Sequence, residues 1–473
     1  MDVIDSVSRT LADISGLSVF SNLRHDPLIR SFGRLLAALE KYDMSESPEG
    51  RFFNVKKIML KIIGTWAEFL DFFIKSGHGS FSSAVIRLIL KDENTFTLNA
   101  ENSRFSSGKQ NSVLAVAAAN DLSRLGRIAV FDIPALAFYI AVLLRAGGLV
   151  VQADALEAEG AVLGKPEKAG AADKDELIQI PGIFPWDKDW AASLPAFAEH
   201  LQNHGAGELG FNSCFRWVSE CQNMRPIAKP DPIRLSHLSG YEDQRSIVVS
   251  NTRRFISGKP ANNLLLYGDR GTGKSATVKA VCSEYADMGL RLLEVHKEQL
   301  DELPAIMDCL SGRGLKFIIF IDDLAFENMD DSFTNLKALL EGAVETRPSN
   351  TVIYATTNRR HLVKENNADR PPSGDPRSFD TMQEQLSLAD RFGLTVVYTT
   401  PDQEEYISIA AFIAQRRGLL KSQADDPSPV ADEKRRFFRE NALRWERWFN
   451  GRSPRTATQY VDWIAGGEGF PWE

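Results

Sequence analysis

A chain of 473 residues is long enough for about three domains on the length prior, and 43% hydrophobic with 25% charged residues is the composition of an ordinary globular protein, not of a disordered or fibrous one. The net charge of −8, from 55 basic and 63 acidic residues, argues against a whole-chain electrostatic grip on nucleic acid. Four cysteines (Cys214, Cys221, Cys282, Cys309) lack metal-ligand spacing, and a chain this large needs no disulfide framework, so reduced buried thiols are expected.

The start, MDVIDSVSRT, is acidic and polar, which predicts no secretion signal and a cytoplasmic location. Residues 1–225 are expected to form a mostly helical N-terminal domain, because apolar residues recur every three or four positions, as in 52–73 and 112–125. The most apolar stretch, 128–144, is interrupted by Asp132 and Pro134 and runs into Arg145. It is too short and too broken to span a bilayer, and a buried helix is predicted instead, with no membrane partner. Residues 159–175 are rich in Ala, Gly and Lys and read as a surface loop. The tetrad Ser106-Ser107-Gly108-Lys109 looks superficially like a phosphate loop but lacks an upstream glycine and strand. No chemistry attaches to this half.

The Pro-rich segment 225–232 (RPIAKPDP) is the expected domain boundary. Beyond it, short apolar strands at 263–267, 291–295, 317–321, 351–355 and 394–398 alternate with helices, which predicts an α/β fold with a parallel sheet and crossover helices. A polar insert at 361–384 holds most of the helix and strand breakers of this half. The region divides into a nucleotide-binding core, 234–400, and a helical lid, 401–473, whose later part is rich in Arg and Trp.

The segment GDRGTGKS spans Gly268, Asp269, Arg270, Gly271, Thr272, Gly273, Lys274 and Ser275 and continues into Ala276. It follows an apolar strand and opens a helix, the context that a G-x-x-x-x-G-K-S phosphate loop requires. Glycines permit positive φ, so that backbone N–H groups can converge on phosphate oxygens, and the helix start adds the positive end of its dipole. Lys274 is expected to reach the phosphates of a bound ATP and Ser275 to ligate Mg2+. Chance alone would match the four fixed positions in roughly 2 of 100 chains this long. Next, the strand FIIFI ends in Asp322 and Asp323. A carboxylate there suits Mg2+, a role assigned to Asp322, while Asp323 can orient or polarise the attacking water. The strand at 351–355 runs into Thr356-Thr357-Asn358, and Asn358 can hold that water or a phosphate oxygen, since ligands meet the carboxyl ends of strands.

The set GDRGTGKS, FIIFIDD, VIYATTN and LADRFGL, in that order, resembles the core of the AAA+ ATPases, and most closely the branch of replication initiators and helicase loaders. Within it, NTRRFISGKPANNLLLYGDRGTGKS is similar to a bacterial family known only as domain of unknown function 815. The likeness spans about residues 234–465. It implies that Arg391 is an arginine finger reaching a neighbouring subunit's nucleotide, hence a homo-oligomer. It also implies that Arg455 is a second sensing arginine at the start of a lid helix, with Arg452 as the competing choice. Gly240 and Tyr241, in Leu238-Ser239-Gly240-Tyr241, match the segment that packs on adenine. One departure is Asp323, where many relatives carry Glu; the loss of one methylene moves the carboxylate by about 1.5 Å and predicts slow turnover.

The implied function is a Mg2+-dependent ATP hydrolase that uses its nucleotide cycle to remodel or switch a partner. A small-molecule kinase on the same phosphate loop and a nucleotide-gated binding module with little hydrolysis remain alternatives. A protein partner is compatible with each. For nucleic acid, the initiator-like resemblance and the acidic balance pull in opposite directions, and Arg359-Arg360-His361 and Arg435-Arg436 read more readily as solvated faces than as DNA contacts.

Overall fold

The computed structural model describes residues 3–43, 51–102, 112–163, 183–185, 188–324, 336, 340, 348–358, 391–422, 424–449, 451–467 and 470. The tetrad at 106–109, the polar insert at 361–384 and the Arg359-Arg360-His361 run lie outside the described residues. The chain forms two compact units, Met1–Phe211 and Asn212–Glu473.

The first unit is helical, as its apolar spacing predicts: α1 (Val3–Ser15), α2 (Pro27–Asp43), α3 (Arg51–Ser76), α4 (Phe81–Lys91), α5 (Thr95–Glu101), α6 (Val113–Ala129), α7 (Ile133–Ala146), α8 (Val150–Leu163) and α9 (Leu194–His204). Phe20, Phe32, Phe69, Phe96 and Phe197 are fully buried among aliphatic side chains. The two breakers in the apolar stretch 128–144 prove to be the start of a helix. Asp132 caps α7 by accepting from the Ala135 N–H at 2.8 Å, and Pro134 sits in the first turn, where its missing N–H is harmless. Among the described residues no single helix is long and apolar enough to cross a membrane; α6 and α7 reach that length and apolarity only together, across a bend of 55°. The predicted loop at 159–175 is helical as far as Leu163, the end of α8, and its remainder lies outside the described residues.

Asp121, fully buried on α6, accepts from the N–H groups of Ser18, Val19 and Phe20 at 2.7, 2.7 and 3.1 Å and from Arg124 at 2.9 Å. A turn whose N–H groups at Ser18, Val19 and the buried Phe20 have no helical partner is thereby pinned to the core. Glu101 does the same for the Ala206 N–H at 2.8 Å.

In the second unit a seven-stranded sheet has the order β2-β1-β4-β5-β6-β3-β7. Its strands are β1 (Cys214–Val218), β2 (Asn223–Pro226), β3 (Leu264–Gly268), β4 (Leu290–Glu294), β5 (Lys316–Ile321), β6 (Thr351–Thr357) and β7 (Leu394–Tyr398). Every pairing is parallel except the β1–β2 hairpin. The strands expected from the apolar runs appear as β3 to β7, to within one or two residues. The expected domain boundary at 225–232 is corrected: the second unit begins at Asn212, because β1 pairs with β4 and carries β2 into the sheet. The pattern Cys-Phe-Arg-Trp-Val is a β-rich run, and Pro226 is tolerated because β2 is an edge strand.

Helices α10 (Glu242–Ile256), α11 (Lys274–Tyr285) and α12 (Leu303–Ser311) join this sheet, and α13 (Gln403–Arg416), α14 (Pro429–Trp448) and α15 (Pro454–Gly466) follow it. The last three bury Tyr406, Phe438, Trp445 and Tyr460 in a core of their own, in the region where the sequence leads one to expect a helical lid. Strands β5 and β6 are buried along their length, as the continuous apolar runs require of central parallel strands. Because β3 lies between β6 and β7, the chain reverses its direction of winding at β3, and the carboxyl ends there form the crevice in which such sheets bind ligands.

Candidate functional site

The loop after β3 is built around its glycines. Gly268 has φ +141°, and a Cβ there would stand 1.9 Å from the Tyr398 carbonyl oxygen of β7, so no other residue fits. Gly271 has φ +78° and packs where a Cβ would meet the Ser453 Oγ and Arg455 Cβ at 3.0 Å. The loop closes on Gly273 and α11 begins at Lys274. Residues Arg270 through Thr277 line a cleft of about 1010 Å³.

A continuous hydrogen-bonded chain joins this loop to the ends of β5 and β6. The Ser275 hydroxyl donates to Asp322 Oδ1 at 2.6 Å, and the Thr356 hydroxyl donates to the same oxygen at 2.5 Å. Thr356 Oγ1 in turn accepts from the Asp323 N–H at 3.0 Å. Asn358 Nδ2 donates to Asp323 Oδ1 at 2.7 Å, and Lys274 Nζ donates to Asn358 Oδ1 at 3.0 Å. Lys274 Nζ also reaches the carbonyls of Gly268 and Asp269, both at 2.8 Å. Only 6% of Lys274 is exposed, and burial holds its pKa below the ordinary lysine value, partly offset by Asp269, Asp322 and Asp323. Asp323 adopts φ +54°, a left-handed conformation uncommon outside glycine, which is backbone strain of the kind that clusters at working sites.

The other wall of the cleft is less polar. Leu238, Gly240 and Tyr241 face Ile409 and Ile413 of α13. Gly240 and Tyr241 both have positive φ, +76° and +59°, and a Cβ on Gly240 would strike Ile409 Cδ1 at 2.9 Å. The Tyr241 hydroxyl donates to the Thr399 carbonyl at 2.7 Å, and its ring lies 5.0 Å from that of Tyr398. Burial, then the negative charges of Glu405 and Asp269, push the Tyr241 hydroxyl pKa well up, so it stays a donor.

Of the residues expected at the site, Lys274, Ser275, Asp322, Asp323, Asn358, Gly240, Tyr241 and Arg455 all line this one cleft. Arg455, in the first turn of α15, donates its N–H to the Gly271 carbonyl at 3.2 Å. Arg452 is instead paired with Glu446 at 2.9 Å and does not line the cleft. Gly268 and Asp269 do not line it either, and Arg391 stands apart, just before the edge strand β7. Thr356, which organises both strand-end acids, has no motif of its own. Its signal was a small hydroxyl residue at the carboxyl end of an otherwise apolar strand.

The donor set fits a Mg2+-nucleotide. Glycine backbone lining the cleft at Gly271 and Gly273, a buried cationic amine, and a hydroxyl 2.6 Å from a carboxylate are what polyphosphate and a hard cation need. Among the described residues no group of three or more His, Cys, Asp or Glu could hold a metal by itself, so phosphate oxygens would have to complete the coordination.

Strand order, phosphate loop and paired strand-end acids together define a P-loop protein of AAA+ type. The chain belongs to the family described as "Protein of unknown function (DUF815)", whose model matches residues 211–468. Among curated proteins, ORC1-type DNA replication protein 14 of Haloarcula marismortui is 40% identical over 65 residues, which are 14% of this chain and 15% of that protein. Among solved structures, two variants of RuvB from Thermotoga maritima are 15% and 16% identical, each covering 49% of this chain and 64% of their own, with TM-scores of 0.33. The chain thus spans under a sixth of that curated relative and less than two thirds of those structures.

Proposed function

We propose that this chain binds Mg2+·ATP in the cleft at the carboxyl ends of β3, β5 and β6 and hydrolyses it, using the cycle to move the lid and change its contacts with neighbouring copies or a bound partner. The hydrogen-bonded circuit from Ser275 through Asp322, Thr356, Asp323 and Asn358 back to Lys274 is the observation that supports this most. It links the loop that would hold phosphate to both acids that would do chemistry on it.

Bound Mg2+·ATP would supply the phosphoanhydride bond and the divalent charge that makes its terminal phosphorus electrophilic. Lys274, already desolvated, offers a cation whose attraction for phosphate is little weakened by water. Ser275 and Asp322 would share the metal. Asp323, held by Asn358 and by its own strained backbone, orients the nucleophilic water and takes its proton. Arg455 supplies positive charge from the lid. Arg391, outside its own cleft, acts on the nucleotide of a neighbouring copy, which makes assembly part of the proposal.

A second reading, a nucleotide-gated binding module with little turnover, is favoured by the short Asp323 side chain and its tether to Asn358. Phosphate release from Mg2+·ATP by the full chain, with no acceptor added, separates the readings. Release supports the hydrolase, tight binding without release supports the module, and release only after an acceptor is supplied contradicts both.

A further inference from the structure

The Asp269 side chain does not face the cleft, although it sits inside the phosphate loop. Its Oδ2 accepts from the Thr400 N–H at 2.9 Å and from the Thr400 hydroxyl at 2.6 Å. Thr400 belongs to the short connection between β7 and α13, where the chain leaves the core and enters the lid. Its neighbours at the joint are bonded as well. The Tyr398 carbonyl accepts from the Asp269 N–H at 3.1 Å, and the Thr399 carbonyl accepts from the Tyr241 hydroxyl at 2.7 Å. Asp402 then caps α13 through reciprocal bonds with Glu405, both 2.9 Å. The lid meets the same loop a second time, where the Arg455 N–H reaches Gly271.

We infer that Asp269 is a positioning residue that latches the core–lid joint to the phosphate loop through Thr400, so that what the loop holds governs how the lid closes. The physical reason is stiffness. Two charge-assisted hydrogen bonds onto one carboxylate oxygen tie the joint directly to the glycine-rich loop. A displacement of the loop by phosphate is carried to Thr400 without intervening solvent. The lid residues Ile409 and Ile413 on α13 and Arg455 on α15 line the cleft, so the angle at the joint sets how firmly they close over the ligand. The inference rests on the nucleotide-binding reading above.

The test is the dissociation rate of a fluorescent Mg2+·ADP analogue from the full chain, by stopped flow, for the native protein, Asp269→Ala, Asp269→Asn, Thr400→Val and Asp269→Ala/Thr400→Val. Loss of a charge-assisted contact predicts dissociation about tenfold faster in Asp269→Ala. Asp269→Asn, which keeps an acceptor oxygen, should recover most of the native rate. The double variant should be no faster than Asp269→Ala, since both changes remove one latch. Hydrogen exchange at residues 399–416 should quicken in Asp269→Ala while exchange in β5 stays as in the native chain, a pattern that general unfolding would not give. Native-like dissociation in a folded Asp269→Ala protein overturns the latch, as does failure of Asp269→Asn to recover it or additivity of the double variant. No binding of the analogue by the native chain would instead overturn the nucleotide reading, and the latch with it.

Discussion

The two units bury polar groups for opposite ends. In the helical unit Asp121 and Glu101 are buried, and each accepts from backbone N–H groups of a turn distant in sequence. In the sheet unit Lys274 and Thr356 are also buried, but their bonds run to other polar side chains, the exposed Asp322 and the half-buried Asn358 among them, that line an open cleft. A buried polar group is therefore not evidence of function by itself; what separates the cases is whether its partners are structural backbone or other reactive groups facing a common space.

That contrast can be broken or sharpened by substitution. The largest effect is expected from Arg391→Ala, which should slow phosphate release about a thousandfold and leave Mg2+·ATP affinity nearly intact. Turnover of mixtures with native protein should depend on concentration, and independence would argue against action between copies. Asp323→Asn should reduce single-turnover hydrolysis about a hundredfold, again with affinity retained. On the other side of the comparison, Asp121→Ala leaves the buried Phe20 N–H and the part-buried N–H groups of Ser18 and Val19 without their acceptor. It should destabilise the helical unit by about 3 kcal/mol in denaturant titration while nucleotide affinity stays unchanged. A loss of nucleotide affinity there would erase the distinction between the units. The smallest effect is on pH dependence. Lys274 must be protonated to attract phosphate, and burial lowers its pKa, so affinity should begin to fall with rising pH below the ordinary lysine value of 10.5. Titrating binding between neutral and alkaline pH checks the sign: a rise in affinity over that range contradicts it.

Much of the site was legible in the sequence because the chemistry demands particular residues at fixed local spacing. The phosphate loop needs glycine at 268, 271 and 273 and the amine at 274, and β5 needs both a continuous apolar run and terminal acids. Thr356 and Thr400 were harder to find, since a threonine at a strand end is common and its role appears only when the sheet places it beside Asp322 and Asp323, or beside Asp269. Position alone puts Asp269 in the loop, and only the structure shows its side chain bonded to Thr400. The β1–β2 hairpin was hidden because one strand carries an arginine at its centre and the other ends in proline. Both features are tolerated because Arg216 points to solvent, where it pairs with Glu294 across β1 and β4 at 2.8 Å, and because β2 is an edge. The helical unit was readable as helices but not as an arrangement, because periodicity reports which face is buried and not what it is buried against.

The central claim is that Lys274 and its circuit hold a nucleoside triphosphate, and isothermal titration of the folded full chain with Mg2+·ATP tests it most directly. The account predicts saturable binding by the native protein and affinity weaker by about 10- to 100-fold in Lys274→Ala, with the thermal midpoint little changed. Folded native protein that takes up no nucleotide, or a Lys274→Ala variant that binds as well as the native chain, would contradict it.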